Sequence, residues 1–421
     1  MSTTQLIPMA LKALTRDAWL LFVTRFARLF AYGSLSVILV FYLLGLGLTE
    51  VQSGLVLTLT LAGDVVVSLL LTTRADRIGR RRMLVIGAVL MAAAGLAFAS
   101  TRNLFFLILA GTIGVISPSG NEVGPFLSIE QAALTHIVPT TARTEIFAWY
   151  TLAGSLATAL GALFGGFVTR ALQRTSLTTV ASYRAVVLVY AALGILLAFL
   201  FTRLSALVEV GAVPEGTVPA ASVATVFGIT RSRNVVLKLS SLFALDSFAG
   251  GFVVQSFAAY WFYLRFGVAP ATLGAIFFWA NVFAGISALV ATWLAGRIGL
   301  VRTMVFTHLP SNILLILVPL MPNLWLAVLV LLLRFSISQM DVPARQSYTM
   351  AVVPAAERSA AGGFTGVART TGAAISPLFV GFLFAKPSLI NAPFFLAGTL
   401  KISYDLLLYY SFRTLRPPEE Q

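Results

Sequence analysis

Twelve runs of mostly apolar residues, each of roughly the 20 needed to cross a hydrocarbon core as a helix, lie between charge clusters and Gly/Pro turns. In the first part of the chain they run near 19–46, 51–73, 83–100, 104–136, 144–168 and 183–203. In the second they run near 236–264, 271–295, 302–320, 324–352, 361–385 and 391–412. No other feature narrows the fold as far, because backbone in lipid must satisfy its own hydrogen bonds and runs of this length can do so as helices. Composition agrees: charged residues make up 10%, hydrophobic residues 58%, and mean hydropathy is +0.93. A soluble fold of 421 residues would lack the polar groups to cover its surface. The expected class is an all-α membrane protein. The longest polar interruption, 204–234, reads as a cytoplasmic linker between six-helix bundles at 1–203 and 235–421. Met1 to Arg16 has no short apolar core followed by a small-residue cleavage site, so no removable signal is expected. There are no cysteines, which excludes disulfides and thiolate metal sites.

The net charge of +14 finds its place in this topology. Twelve spans put both termini on one side. Seventeen of the 29 Lys and Arg fall on that side, six in the opposite loops and six within spans. The positive-inside rule then makes both termini cytoplasmic, in a plasma membrane (the inner membrane, in a bacterium). Anionic headgroups are the expected counter-charge. Nucleic acid is not expected, since the polar basic surface it requires is lacking.

The two halves repeat each other. Ala75-Asp76-Arg77-Ile78-Gly79 matches Ala295-Gly296-Arg297-Ile298-Gly299 at an offset of 220. Gln131, Val138-Pro139 and Arg143 match Gln346, Val353-Pro354 and Arg358 at 215, as does Gly161–Phe167 on Ser376–Phe382. Phe30-Ala31-Tyr32-Gly33 falls on Phe248-Ala249-Gly250-Gly251 at 218. Parallel repeats of six helices predict a pseudo-twofold axis along the membrane normal and a binding site between the halves at mid-depth.

The loop after the second span, Arg74-Ala75-Asp76-Arg77-Ile78-Gly79-Arg80-Arg81-Arg82, resembles the D-R-x-G-R-R/K signature of the major facilitator superfamily. One departure is Thr72, where a glycine is usual. The resemblance implies twelve helices in two pseudo-symmetric halves and transport of a small molecule by alternating access. It also implies a latch made by Asp76, Arg77, Gly79 and Arg80, with Asp76 capping a helix of the other half and Glu130 the partner of Arg80. The fifth span carries Gly154, Gly161, Gly165 and Gly166, similar to a glycine-rich stretch of drug:proton antiporters, but Ala162 stands in its proline position. Close helix packing explains the same glycines.

Ionisable groups within a span cost on the order of 2.5–3.5 kcal/mol, so each needs a partner or a cavity. Asp64 lies about 18 Å along its helix from the loop at Asp76, with no charged residue within a turn. It is a proton-carrying candidate, or else a structural acid bonded to a neighbouring helix. The fourth span holds Ser117-Pro118-Ser119-Gly120-Asn121-Glu122-Val123-Gly124-Pro125 and reads as a broken helix, tolerated only against protein or a water-filled cavity. Glu122 is the second proton-carrying candidate, and Asn121 and Gln131 are cavity candidates. Asp341 and Arg345, four apart, share a helix face and can neutralise each other as a gate. Arg28 and Asp246 occupy matching positions and predict either a salt bridge between halves at the cytoplasmic end or snorkelling from their span starts. Arg369 is expected to meet Asp64, Glu122 or an anionic substrate. Gln255, Asn281 and Gln339 complete the cavity candidates.

Phe257, Tyr260, Trp261, Phe277, Phe278 and Trp279 are expected mostly against lipid. Trp19, Trp261, Trp293 and Trp325 fall near span ends. His136 and His308 read as interfacial, with no metal role. No phosphate-binding glycine loop ends in Lys-Ser/Thr and no nucleophile–base set stands out, so neither a cofactor, ATP-driven pumping nor an enzyme is expected. The resulting expectation is a monomeric secondary transporter, an antiporter coupled to protons and exporting an amphipathic compound. Transport of an organic anion, a phosphate ester or a siderophore-like solute is the alternative, motivated by Arg25, Arg28, Arg334, Arg345 and Arg369. A membrane sensor without turnover is the third.

Overall fold

The computed structural model describes residues 14–122, 124–138, 143–209, 232–354 and 357–415. Among these, six helical units precede residue 209: α1 (Arg16–Gly45), α2 (Glu50–Ile78), α3 (Arg80–Ser100), α4 with α5 (Leu104–Ile113, Phe126–Ile137), α6 (Arg143–Gln173) and α7 (Thr179–Thr202). Six follow: α8 with α9 (Arg233–Gly251, Gln255–Phe266), α10 (Pro270–Ile298), α11 (Leu300–Leu317), α12 with α13 (Leu324–Phe335, Asp341–Ala351), α14 (Arg358–Phe384) and α15 (Ala392–Phe412). Nine of these are long and apolar enough to cross a membrane by themselves, counting α8 and α9 as one. The fourth and tenth units are each split into two short segments.

Local chemistry sets the boundaries. At the end remote from residues 14 and 415, α2, α4, α7 and α12 begin at side-chain caps from Thr49, Asn103, Thr178 and Asn323. Each cap satisfies a backbone N–H that the first turn leaves free. The fourth unit breaks where its sequence predicts. Gly120 and Gly124 take φ of 72° and 79°, which only glycine adopts without strain, and Pro125 restarts the helix as α5. The break of the seventh unit, at 252–254 after Gly250-Gly251, carries no comparable signal and was not expected.

Helix packing follows the repeat. In the first half α1 packs on α6 and α3 on α7; in the second α8 packs on α14 and α11 on α15. Between halves, α2 meets α14 and α6 meets α10. These seams depend on glycine: a Cβ at Gly54 would lie 2.6 Å from the Pro377 carbonyl oxygen, and one at Gly166 would lie 2.4 Å from that of Pro270. Both contacts lie toward the end remote from residues 14 and 415. At the opposite end, a Cβ at Gly296, Gly363 or Gly366 would meet nothing within 4 Å. The halves therefore touch at one end and separate toward the other.

Several aromatics differ from expectation. Trp261 is fully buried, donating from Nε1 to Asn391 Oδ1 at 2.9 Å, and Phe257, Tyr260 and Phe277 are buried too. α9 packs against α1 between the halves, so these rings face protein rather than lipid. Trp19, Trp279, Trp293 and Trp325 are exposed.

Candidate functional site

Each half holds a buried ionic cluster. In the first half, the fully buried Arg28 guanidinium on α1 donates to Glu130 on α5 through Nη1 at 2.6 Å and Nη2 at 2.7 Å. The same group reaches Glu122 at 3.2 Å, and Arg25 Nη1 lies 3.1 Å from Glu122 Oε1. Tyr150 of α6 donates to Glu130 at 2.5 Å, Thr24 donates at 3.4 Å, and Arg25 lies 4.3 Å over the Tyr150 ring. Two arginines face two carboxylates, so the cluster is close to neutral. Buried charges persist when paired and hydrogen-bonded in this way.

In the second half, Asp246 on α8 accepts from Arg345 Nη1 at 2.9 Å and from Lys401 Nζ on α15 at 2.5 Å. Asp341 lies 3.4 Å from Arg345. His308 on α11 has Nδ1 at 2.8 Å from Asp405 Oδ1 and Nε2 at 3.7 Å from Asp246. Asn312 donates to Asp405 Oδ2 at 2.8 Å. Asp246, His308 and Asp341 place ligand-type atoms within 4.8 Å of one another. Lys401 and Arg345 already supply the positive charge between those carboxylates, so the arrangement serves ion pairing rather than metal binding.

The two clusters occupy equivalent places with the charges exchanged. Arg28 and Glu130 match Asp246 and Arg345 at offsets of 218 and 215. This overturns the expected bridge between Arg28 and Asp246: each finds its counter-charge inside its own half, on the broken helix beside it. It also removes Glu130 as the partner of Arg80, since Arg28 and Tyr150 occupy that carboxylate. His308, expected at the interface, is only 5% exposed, because α11 packs its polar face onto α15.

The halves meet through polar groups at mid-depth. Gln255 Nε2 donates to Ser36 at 2.8 Å, and Asn281 Nδ2 donates to Gln255 Oε1 at 3.0 Å. Ser256 gives its N–H to the Pro118 carbonyl at 3.2 Å and its hydroxyl at 2.5 Å, joining the breaks of the fourth and seventh units. Tyr260 donates to Glu50 at 3.1 Å nearer the closed end. Among the described residues the bonds of Gln255 to Ser36, Ser256 to Pro118 and Tyr260 to Glu50 are the hydrogen bonds between halves, and Asn281 holds Gln255 from within its own half.

Asp64 accepts the backbone N–H of Gly124 at 2.5 Å and a weaker bond from Ser68 at 3.4 Å. It ties α2 to the break of the fourth unit. Asp64→Asn preserves an acceptor for Gly124 and is expected to keep the fold. Asp64→Leu leaves the amide unsatisfied and should cost about 1–3 kcal/mol, read as a lowered melting temperature in detergent. Loss of proton coupling in Asp64→Asn, with the fold intact, would restore Asp64 as the carrier.

At the open end, the signature loop is held from within its own half. Glu209 accepts the N–H groups of Arg80 at 2.6 Å and Arg81 at 3.2 Å, capping α3 where Gly79 turns at φ 116°. Arg80 donates to the carbonyls of Ala132 and Val208, and Asp17 accepts from Ser205 at 3.1 Å. The Asp76 side chain lies outside the described ones; Arg77 is exposed. Glu209 follows a helix end closely in sequence, and that acidic cap was the readable signal.

The remaining candidates are dispersed. Asn121 and Gln131 are exposed on the fourth unit, and Gln339 gives its N–H to Ser287 at 3.3 Å in the break of the tenth. Arg369 meets neither Asp64 nor Glu122. Arg369 and Arg334 make no ion pair among the described residues, and Nε of each is buried without a hydrogen-bond partner. Lys401, one of the six basic residues within spans, has Asp405 four residues on in the same apolar run, and neither had been assigned a role.

Comparison with known proteins gives a consistent picture. A family profile described as Major Facilitator Superfamily matches residues 21–377. The chain is 33% identical to an uncharacterized membrane protein of Saccharomyces cerevisiae, YJR124C, over 95% of each chain. In fold it resembles the nucleoside transporter NupG at a TM-score of 0.75 and 12% identity, covering 94% of this chain and 100% of that one. It also resembles a bacterial homologue of the human lysosomal transporter Spinster in an inward-facing, unoccupied conformation, at a TM-score of 0.70 and 15% identity over 94% of each.

Proposed function

The chain belongs to the major facilitator superfamily, and from that premise we propose that it is a proton-coupled secondary transporter of a small organic anion. Membership makes it a membrane transporter of a small solute rather than an enzyme. The anion rests on one observation: among the described residues, Arg334 and Arg369, half-buried in the second half with Nε of each buried and unpartnered, make no ion pair with a carboxylate, whereas Arg25, Arg28 and Arg345 are neutralised. An unpaired guanidinium at membrane depth is costly and marks a ligand site. Its planar donors suit carboxylate or phosphate.

The opening at the end bearing residues 14 and 415 supports an inward-facing state, with the termini cytoplasmic as the Lys/Arg asymmetry requires. In that reading the solute binds below Gln255 and Asn281 and leaves when the halves rock about the α2–α14 and α6–α10 seams. Export of an amphipathic compound is the second reading. It is favoured by the apolar side chains of Leu156 and Leu160 on α6 and of Ile286 and Leu289 on α10, all exposed.

The test is flux in proteoliposomes under an imposed pH gradient, across mono- and dicarboxylates, phosphate monoesters, and neutral and cationic amphiphiles. Anions should be taken up, and Arg334→Gln or Arg369→Gln should reduce uptake about 10- to 100-fold, a charge-assisted bond being worth about 1.5–3 kcal/mol. Preference for neutral or cationic amphiphiles, unaffected in Arg369→Gln, would establish the second reading instead.

A further inference from the structure

We propose that the proton-binding site of this transporter is the buried pair of His308 on α11 and Asp405 on α15, with Asp246 on α8 receiving the charge of the second proton. The proposal rests on the proton-coupled reading and places its carrier, for which Asp64 and Glu122 are poorly suited. Asp64 is engaged with the Gly124 amide, and Glu122 is held by two arginines.

Hydrogen-bond accounting carries the argument. His308 Nδ1 and Asp405 Oδ1 are 2.8 Å apart. Two bare acceptors do not approach so closely, so one proton resides at this contact, on the ring or on the carboxyl. The other Asp405 oxygen is taken by Asn312 at 2.8 Å. With that proton on Nδ1, which also lies 3.1 Å from Asn312 Nδ2, the vacant position of the imidazole is Nε2, 3.7 Å from Asp246 Oδ1 and beyond hydrogen-bond distance. A proton arriving on Nε2 makes the imidazolium a new cation beside Asp246. The ring can close that gap only in competition with Lys401 at 2.5 Å and Arg345 at 2.9 Å on the same carboxylate.

Those two cations belong to different helices, α15 and α13. Charging His308 therefore loosens Asp246 from one or both, and so alters how α8, α11, α13 and α15 are tied together. Arg345 also faces Asp341 and acts electrostatically on Arg369. A change at Nε2 is thus felt at the proposed anion site through charges in direct sequence, His308–Asp246–Arg345–Arg369. The groups facing the imidazole are Asp246 from α8, Arg345 and Asp341 from α13, and Asp405, Lys401 and the Tyr404 ring from α15, the ring centroid 5.8 Å away. Protons can arrive from the cluster's slightly exposed rim, where Asp246 and Lys401 side chains keep 8% and 9% exposure.

The chain has two histidines, and His136 is exposed. Full-length protein with His136→Asn, labelled with 15N-histidine and held in lipid nanodiscs, therefore gives the imidazole signals of His308 alone, with protons as the only ligand. The 15N shifts, followed between about pH 5 and pH 8, should show Nε2 gaining a proton as the pH is lowered. Asp405→Asn, which keeps the shape and removes the nearest negative charge, should leave about tenfold less imidazolium at a given pH. A His308 that stays in one protonation state across the range, or titrates identically in Asp405→Asn and Asp246→Asn, would overturn the proposal. Should Asp405→Asn fail to fold, Asp246→Asn, which removes the carboxylate facing Nε2, gives a reading of the same sign. The measurement needs no solute, so a His308 that titrates in a protein whose flux ignores the pH gradient would refute coupling and leave the site standing.

Discussion

Arg28→Met is expected to lose most of its folded protein on extraction, with the melting temperature in detergent falling further than for any exposed substitution. Arg28 is fully buried and holds both Glu130 oxygens, at 2.6 and 2.7 Å. Methionine removes that charge and leaves Glu130, also fully buried, with only Tyr150 and Thr24. Removing one partner of a buried pair costs about 3–5 kcal/mol, a large part of a total stability of about 5–15 kcal/mol. The penalty comes from the stranded carboxylate rather than from the lost attraction. Arg28→Met with Glu130→Gln should therefore recover much of the folded yield, although it removes more of the native pair. If the double variant is no better than the single one, uncompensated charge is not the cause.

Gly274→Leu should abolish turnover while leaving the protein folded. A Cβ on Gly274 would stand 2.6 Å from the Ala162 carbonyl oxygen and 3.2 Å from Gly166 Cα. The clash is with backbone, which cannot swing aside as a side chain can. Overpacking costs about 1–3 kcal/mol, and here it falls only on the state in which the halves meet at this end. Each 1.4 kcal/mol is about a tenfold change in the equilibrium between closed and open. The chain has no native cysteine, so Val51→Cys reports cleanly on whether the halves part at this end, at the companion α2–α14 seam, where Val51 Cα faces Gly381. Its labelling by an impermeant maleimide should rise about tenfold in Gly274→Leu and less in Gly274→Ala. Unchanged labelling with normal turnover would show that the α6–α10 seam does not gate.

The two halves of the candidate site differ in how far sequence could reach them. The break at 114–125 was readable because Pro118, Gly120, Gly124 and Pro125 act locally, through φ angles and missing N–H groups. Glu122 and Asp341–Arg345 were readable as charges in apolar runs. Their partners were not, because an ion pair between helices depends on rotation and depth, and a shift of one residue turns a side chain by about 100°. Equal numbering in the two repeats suggested that Arg28 faces Asp246. Instead each repeat closes its own circuit, since repeated halves place matching residues in matching surroundings rather than against each other.

The sequence by itself determined the number of spans, the two-fold repeat, the broken fourth helix and the superfamily. Each follows from local rules of hydropathy, periodicity and turn chemistry that hold along a single chain. Tertiary structure alone decided which charges are spent and which are free. It paired Arg28 with Glu130 and Asp246 with Lys401 and Arg345, buried His308 against Asp405, and left Arg334 and Arg369 without a counter-ion among the described residues. In a medium too apolar to solvate charge, function rests with the groups that packing leaves unpaired, and packing is a property of twelve helices together rather than of any one.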